Sequence, residues 1–524
     1  MKGAVQVRQA HLALAGALVA VVNLWSLVRT PPPFVDDAWY ANRAWALIET
    51  GRAFGSLDAG VFDRYEGYWT YIPWLHPWLL SLSIRALGLD LFSVRLVSLV
   101  LGLGLLVSLY AIGSHLGGAR EGLVAVLLTA LSSPFVYSSH VARPDVMVAA
   151  FGFGALALYV IDRGERLSIK SLLSGLAVAA AFEIHPNGMI YGPVIALLYL
   201  LDHGRRVLRV GRAWGFVAGL AGGLLLYAAM HVFPYPQTYL TLTRSVYAPW
   251  RTPPVASLDP GAWLRSFGQV LGLLFTASPL GFVLIVGAVV ALARGRRRGQ
   301  TRLLTLFAAL VVAFAALVRH KLPYFAIELT PAAGLVVATF LVDLFHNGRR
   351  IAGERRGTRL AFSSLAALVV LLLLAGAALA LLPMLDDPMP DYRAVVDLVR
   401  RTVPAGRSLM GSQTYWLGVP HQPYYSWENL VYYQRCVPGS RLTDALQAQR
   451  PDYLLIDRHL EAFIVEDEGE LTEYTRFLYL PREELEGFLA RQATLVARLE
   501  SRSFGTVRIF RIGWKGGARG QGDT

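Results

Sequence analysis

Apolar residues run along this chain in long blocks, separated by short stretches where charge, proline and aromatic residues concentrate. Blocks of about 18 or more apolar residues are membrane-span candidates. Residues 360–383 form the clearest one and contain no charged side chain. Further blocks at 11–29, 91–117, 121–138, 146–161, 171–184, 188–201, 213–233, 263–293, 303–318 and 323–342 bring the expectation to about eleven helical spans. At 1.5 Å per residue, 171–184 and 188–201 each cover only ~21 Å of a ~30 Å hydrocarbon core. They read as two short spans or as one re-entrant hairpin, and either reading keeps the parity of the later spans. The first block, preceded by Lys2 and Arg8, fits a cleaved signal peptide or an uncleaved span. Its length, and the lack of a small-x-small site before Thr30-Pro31-Pro32-Pro33, favour the span.

Between the blocks, residues 30–90 form a long loop with two amphipathic patches, near 38–50 and 74–88. Trp39, Trp45, Trp69, Tyr71, Trp74 and Trp78 punctuate it. Aromatic side chains favour the membrane–water boundary, so both patches are expected to lie along the surface. The chain is thus expected to divide into a transmembrane domain at 1–383 and an α/β domain at 384–524. In the tail, 408–419 and 452–457 read as strands, 482–498 as a helix and 505–512 as an edge strand. The last ten residues read as disordered.

Composition sharpens this picture. The chain is 55% hydrophobic and 16% charged, against ~25% charged in soluble domains. Its net charge of +13 does not point to nucleic acid, because no basic domain exists to carry it. The arginines sit instead in short loops, at 205–212, 294–302 and 349–359. By the positive-inside rule those loops and the N-terminus are cytoplasmic. The aromatic loop, the 234–262 loop and the tail are then extracytoplasmic, in the plasma (inner) membrane. Cys436 is the single cysteine, so no intrachain disulfide holds the tail. No nucleotide-binding glycine motif or cysteine-based metal pattern occurs. An enzyme built this way would take an activated substrate from the membrane.

Charges near a bilayer are costly and each needs a reason. The topology brings four polar clusters to one face: Asp36 and Asp37; His140, Arg143 and Asp145; Glu183, His185 and Asn187; Arg319, His320 and Lys321. Each has a bland reading beside the functional one. Asp36 and Asp37 would cap a helix starting near Ala38, and Arg143 and Asp145 would form a structural ion pair. Glu183 lies inside an apolar run, where Arg143 or Lys321 would serve as its partner. The basic trio breaks the positive-inside pattern, so it fits an anionic group such as a phosphate or snorkelling to lipid headgroups.

Four short motifs then carry a resemblance. They are Asp36-Asp37-Ala38-Trp39-Tyr40; His76-Pro77-Trp78-Leu79-Leu80 with Gly88 and Arg95; Arg143-Pro144-Asp145; and Lys321-Leu322-Pro323-Tyr324 with Pro331. In this order the chain resembles the GT-C glycosyltransferases. The branch is that of the dolichyl-phosphate-mannose protein mannosyltransferases and the bacterial lipid A aminoarabinose transferases. The likeness spans about 1–383 and, in outline, the tail. Asp37 stands where that branch usually has Glu, and Trp78 replaces its second proline.

The resemblance implies an inverting enzyme that moves a sugar from a polyprenyl-phosphate donor to an acceptor hydroxyl at the outer face. Asp36 is then the catalytic base. Asp37, Tyr40, His76, Arg143, Asp145, Glu183, His185, Asn187, Arg319, Lys321 and Tyr324 are expected to bind or position substrate. Membrane lipids surround the protein, and the acceptor is left open among protein, lipid and glycan. No cofactor is expected, although Asp36, Asp37 and Asp145 would offer oxygen ligands to a divalent cation. A transporter or flippase of lipid-linked sugars is the alternative, and a catalytically inactive scaffold a third reading. Clustering of charge at one face, with no internal repeat, speaks against transport.

Overall fold

The structure is a computed structural model that describes residues 16–17, 19–246, 259–295, 298–351, 356–466, 468–471 and 478–514. It is a mostly helical multi-pass membrane protein with a sheet-containing C-terminal region. Among the described residues, four helical stretches are long and apolar enough to cross a membrane: Leu91–Leu116, Gly211–Val232, Gln300–Leu317 and Ala367–Thr402. Shorter apolar helices include Asp145–Ile161, Gly281–Ala293 and Thr330–His346. Part of the expected first span, and the expected disordered last ten residues, lie outside the described residues.

Two expected spans are not single helices. The block at 121–138 is a pair, Ala119–Ala130 and Ser133–Ser139, bent by 66°. Ser132 caps the second member through Phe135 N, and Pro134 follows in its first turn, so a new helix starts where the old one stops. The block at 263–293 is likewise two helices, Pro260–Ala277 and Pro279–Gly295. Pro279 has no amide hydrogen for a continuing helix, and the residue before a proline is driven toward extended backbone; Ser278 has φ −161° and ψ 91°.

The two short blocks become Ile169–Ile184 and Tyr191–His203, joined by a 3-10 turn at Pro186–Ile190. They part at that turn. The first packs on Asp145–Ile161 and Gly211–Tyr227, the second on Arg298–Leu317. The first contact is very close. A Cβ on Gly175 would stand 2.1 Å from the Phe216 carbonyl oxygen, and one on Gly219 would stand 2.0 Å from that of Leu172. Small residues allow this backbone approach, as between helices in lipid.

In the tail, a five-stranded sheet has the order β2-β1-β3-β7-β6. β1 (Leu409–Gly411) lies parallel to β2 (Tyr424–Ser426) and β3 (Tyr453–Ile456). β4 (Ile464–Val465) and β5 (Leu480–Pro481) form a separate pair. β7 (Gly505–Ile512) is antiparallel to both β3 and β6 (Ala493–Ser501). The 505–512 segment is therefore internal, not the expected edge. The expected helix over 482–498 stops at Gln492. Pairing with β7 takes over from Ala493 onward, where Thr494 and Val496 favour extended backbone.

The tail docks on the membrane part. Its 3-10 turn Gln413–Gly418 lies against the Val35–Thr50 helix, and one apolar core runs from the bundle through Tyr392, Trp416 and Tyr424.

Candidate active site

The Val35–Thr50 helix places Asp36, Tyr40 and Arg43 on one face, at i, i+4 and i+7. All three line a cavity of ≈ 210 Å³. His76 and Tyr71 from the aromatic loop, His185 from the 184–186 turn and Tyr432 from the tail complete its polar and aromatic wall. Four separated stretches of chain thus converge on one chamber.

Asp36 is 15% exposed and pairs with Arg143 Nη1. Arg143 Nε also donates to Asp145 Oδ2 at 2.6 Å, and its guanidinium lies 3.5 Å over the Tyr324 ring. Arg143 therefore bridges the two carboxylates and fixes the direction of Asp36. A planar, stacked, two-sided guanidinium does this where an ammonium would not.

Asp37 faces elsewhere. It is fully buried and meets Arg95 Nη2 at 2.6 Å. It also accepts from Ala142 N at 2.7 Å and from Phe34 N at 2.9 Å. Arg95 Nη1 donates to the carbonyls of Leu27 and Pro31, and its Nη2 to that of Pro32. The pair ties the Val35–Thr50 helix to the Leu91–Leu116 helix and to the 27–32 segment, and Asp37 does not line the cavity.

His76 stands at the start of the Leu75–Leu87 helix, its ring 4.5 Å from that of Tyr40. It is 1% exposed, and neither ring nitrogen has a protein partner. Burial first, then the charges of Arg43 and Arg143, push His76 down to about 3, so it is a neutral imidazole near pH 7. Burial and the adjacent Asp36 push the Tyr40 phenol up. The cavity thus holds uncharged donors and acceptors beside an ion-paired carboxylate.

Glu183 finds neither of the partners expected for it. Its carboxylate accepts from Trp74 N at 2.5 Å and Leu75 N at 3.1 Å, with His231 Nε2 3.2 Å away. It caps the first turn of the helix that presents His76, supplying the orphan amides of a helix N-terminus with an acceptor. Asn187 donates to the buried Glu328 at 3.0 Å, away from the cavity wall. Lys321 is turned inward. Its Nζ donates to Ser266 Oγ at 2.7 Å and to the Val318 carbonyl at the end of the Arg298–Leu317 helix. Arg319 is exposed, and neither basic residue lines the Asp36 chamber.

Sequence reasoning missed Arg43 and Asp58. Arg43 Nε and Nη2 make a fork to buried Asp58 at 3.0 and 2.7 Å, and Trp39 Nε1 donates to the same carboxylate at 2.9 Å. The spacing 36, 40, 43 was the available signal. The three carboxylates offered to a divalent cation do not converge, since Asp37 turns to Arg95 while Asp36 and Asp145 share Arg143. Among the described residues no group of three or more acids, histidines or cysteines is arranged to hold a metal.

A second cavity of ≈ 1070 Å³ lies at the opposite helix ends, lined in part by Tyr159, Asp202, Arg212 and Arg302. Two of its arginines are engaged. Arg302 pairs with Asp202 at 2.7 Å, and Arg212 donates to the Asp162 carbonyl and contacts His203.

Residues 72–233 match the family described as Dolichyl-phosphate-mannose-protein mannosyltransferase. In fold, the chain is similar to ArnT from Cupriavidus metallidurans bound to undecaprenyl phosphate. The TM-score is 0.62 at 14% identity, over 95% of this chain and 97% of that one. It is also similar to an oligosaccharyltransferase from Archaeoglobus fulgidus tethered with an acceptor peptide, with TM-score 0.54 and 12% identity, over 94% and 74% of the chains. AglB of that organism, in complex with an inhibitory peptide and a dolichol-phosphate, gives 0.54 at 13% identity over 87% and 70%. No curated protein matches the chain in sequence. The protein therefore has the GT-C fold and resembles the ArnT and protein-mannosyltransferase branch.

Proposed function

We propose that the protein is an inverting glycosyltransferase that uses a polyprenyl-phosphate sugar. The observation that carries this reading is the Asp36 carboxylate on the wall of a chamber that also holds Arg43, His76 and His185. The acceptor hydroxyl attacks the anomeric carbon while Asp36 takes its proton. The bond from that carbon to the phosphate oxygen breaks, and the polyprenyl phosphate leaves with the electron pair. The Arg43 guanidinium holds the donor phosphate in the bound state as in the transition state, and that of Arg143 meets the charge that grows on it as it leaves. A single displacement inverts the anomeric centre and needs one base. Tyr71, Tyr432 and Trp39 supply aromatic surface for a sugar ring. Arg319 and Lys321, proposed from sequence as phosphate contacts, receive no support from their placement.

The ArnT relative was captured with undecaprenyl phosphate and AglB with a dolichol-phosphate, which supports a lipid-phosphate donor here. The reaction is proposed for the outer face of the plasma membrane, with the N-terminus cytoplasmic and the tail outside. No observation favours a flippase.

The test is sugar transfer in proteoliposomes from a panel of polyprenyl-phosphate sugars, comparing wild type with Asp36→Asn. Transfer that collapses in the folded variant supports the reading. Equal transfer by both removes Asp36 from the mechanism, and no transfer by wild type across the panel overturns the donor class.

A further inference from the structure

Asp58 holds two cavity residues, Arg43 and Trp39, yet sits in a short irregular stretch rather than in a helix or strand. Something must hold that stretch. From one side, Asn42 Oδ1 accepts from Leu57 N at 3.0 Å. From the other, Asn429 in the tail donates through Nδ2 to the Leu57 carbonyl at 3.2 Å and the Ala59 carbonyl at 2.7 Å. Both neighbours are carbonyl oxygens, so the orientation of the Asn429 amide is fixed by what surrounds it. These two bonds flank Asp58 and join positions more than 350 residues apart.

Asn429 is fully buried and belongs to the Glu428–Cys436 helix. That helix is rooted in the tail core by Trp427, whose ring lies 5.0 Å from Phe463. One turn further on, Tyr432 reaches the cavity itself and packs 5.2 Å from Phe62 of the aromatic loop. The tail helix therefore touches the chamber at one residue and, at another, grips the turn that supports Arg43 and Trp39.

We propose that Asn429 is a positioning residue for the Asp36 chamber: by pinning the Leu57–Ala59 turn, it sets Asp58, and through Asp58 the place of Arg43. The proposal rests on the glycosyltransferase reading for what Arg43 does, since there its guanidinium meets the donor phosphate. The grip on the turn stands apart from that reading.

Two measurements on the full-length protein decide it. Deuterium uptake over 53–60 is compared among wild type, Asn429→Ala and Asn429→Gln. The Michaelis constant for a polyprenyl-phosphate sugar is measured for the same set, alone and combined with Arg43→Lys, which keeps a cation opposite Asp58. Loss of two hydrogen bonds to the turn should raise uptake there, with the rest of the tail unchanged. The donor KM should rise about tenfold with kcat within about twofold. Asn429→Gln, which keeps an amide donor, should recover most of the effect. The KM changes of Asn429→Ala and Arg43→Lys should be less than additive, as for groups acting through one another.

Unchanged uptake at 53–60 overturns the grip. Additive KM changes overturn its action through Arg43, as does an equal fall of kcat and folded yield with KM unmoved. Absence of transfer by the wild-type protein counts against the glycosyltransferase reading alone, and the grip is then decided by deuterium uptake.

Discussion

Asp36 and Asp37 are neighbours in the chain that serve different partners: Asp36 meets Arg143 at the cavity wall, and Asp37 meets Arg95 in full burial. On the proposed mechanism, one helix step separates the base from a structural group. Asp36→Asn keeps shape and hydrogen bonding but removes the base, so transfer should fall by about 10²–10⁴-fold with normal folded yield. Asp37→Asn leaves a buried guanidinium uncompensated, at about 3–5 kcal/mol. Its signature should be a lower thermal midpoint in detergent. An Asp37→Asn protein of wild-type stability with lost activity would reverse the two assignments.

Arg143 bridges two carboxylates while stacked on Tyr324. Lysine carries the charge without the fork, so Arg143→Lys should lower kcat/KM by about 10–100-fold, the range that about 1.4–2.8 kcal/mol of lost positioning gives. Wild-type kinetics in this variant would show that charge alone suffices.

Glu183 should report on helix capping rather than on substrate. Glu183→Ala strands the amides of Trp74 and Leu75 and should cost about 1–3 kcal/mol, seen as a lower thermal midpoint. Glu183→Gln, whose carbonyl still accepts, should cost less. A large donor KM change in both variants without loss of stability would instead place Glu183 against the donor.

Two buried groups give pH signatures of opposite sign. Burial first, then nearby Asp36, push Glu428 up to about 8. The folded state then holds a proton that the unfolded chain releases above its ordinary value of 4.5. Stability should fall as pH rises from about 4.5 to about 8, and Glu428→Gln should flatten that limb. His76 works the other way. Its folded value of about 3 lies below the ordinary 6.5, so the unfolded chain binds the proton first and stability should fall as pH drops below about 6.5. The thermal midpoint against pH, for wild type and for Glu428→Gln and His76→Gln, separates the two contributions.

Removing 390–524 should disturb the Asp36 chamber itself. The turn Gln413–Gly418 rests on the helix that carries Asp36, and Tyr432 walls the cavity. The truncated protein should lose binding of undecaprenyl phosphate as well as transfer. Native mass spectrometry showing retained lipid binding would mean that the membrane part forms its donor pocket alone.

The sequence made the long apolar helices, the helical patches of the 30–90 loop and the sheet-bearing tail legible, because hydrophobic period and aromatic placement are local signals. Asp36, Tyr40, His76 and His185 were singled out from sequence, and they line one cavity. What stayed hidden depends on partners far apart in the chain. No local pattern reveals that Glu183 caps a helix more than a hundred residues earlier. None tells that Lys321 serves the end of a helix rather than an anion, or that Asp58 lies beneath Arg43. The break at Pro279 was readable, but the apolar run outweighed it. The strand at 493–501 was lost because its partner β7 decides its conformation.

Tyr432 and Asp36 line the same chamber. A ribosome delivers these two residues far apart in time, so a nascent chain has Asp36 long before it has a closed chamber. On the proposed reading, transfer awaits the last third of the polypeptide, and a half-made copy in the membrane leaves lipid-linked sugars untouched.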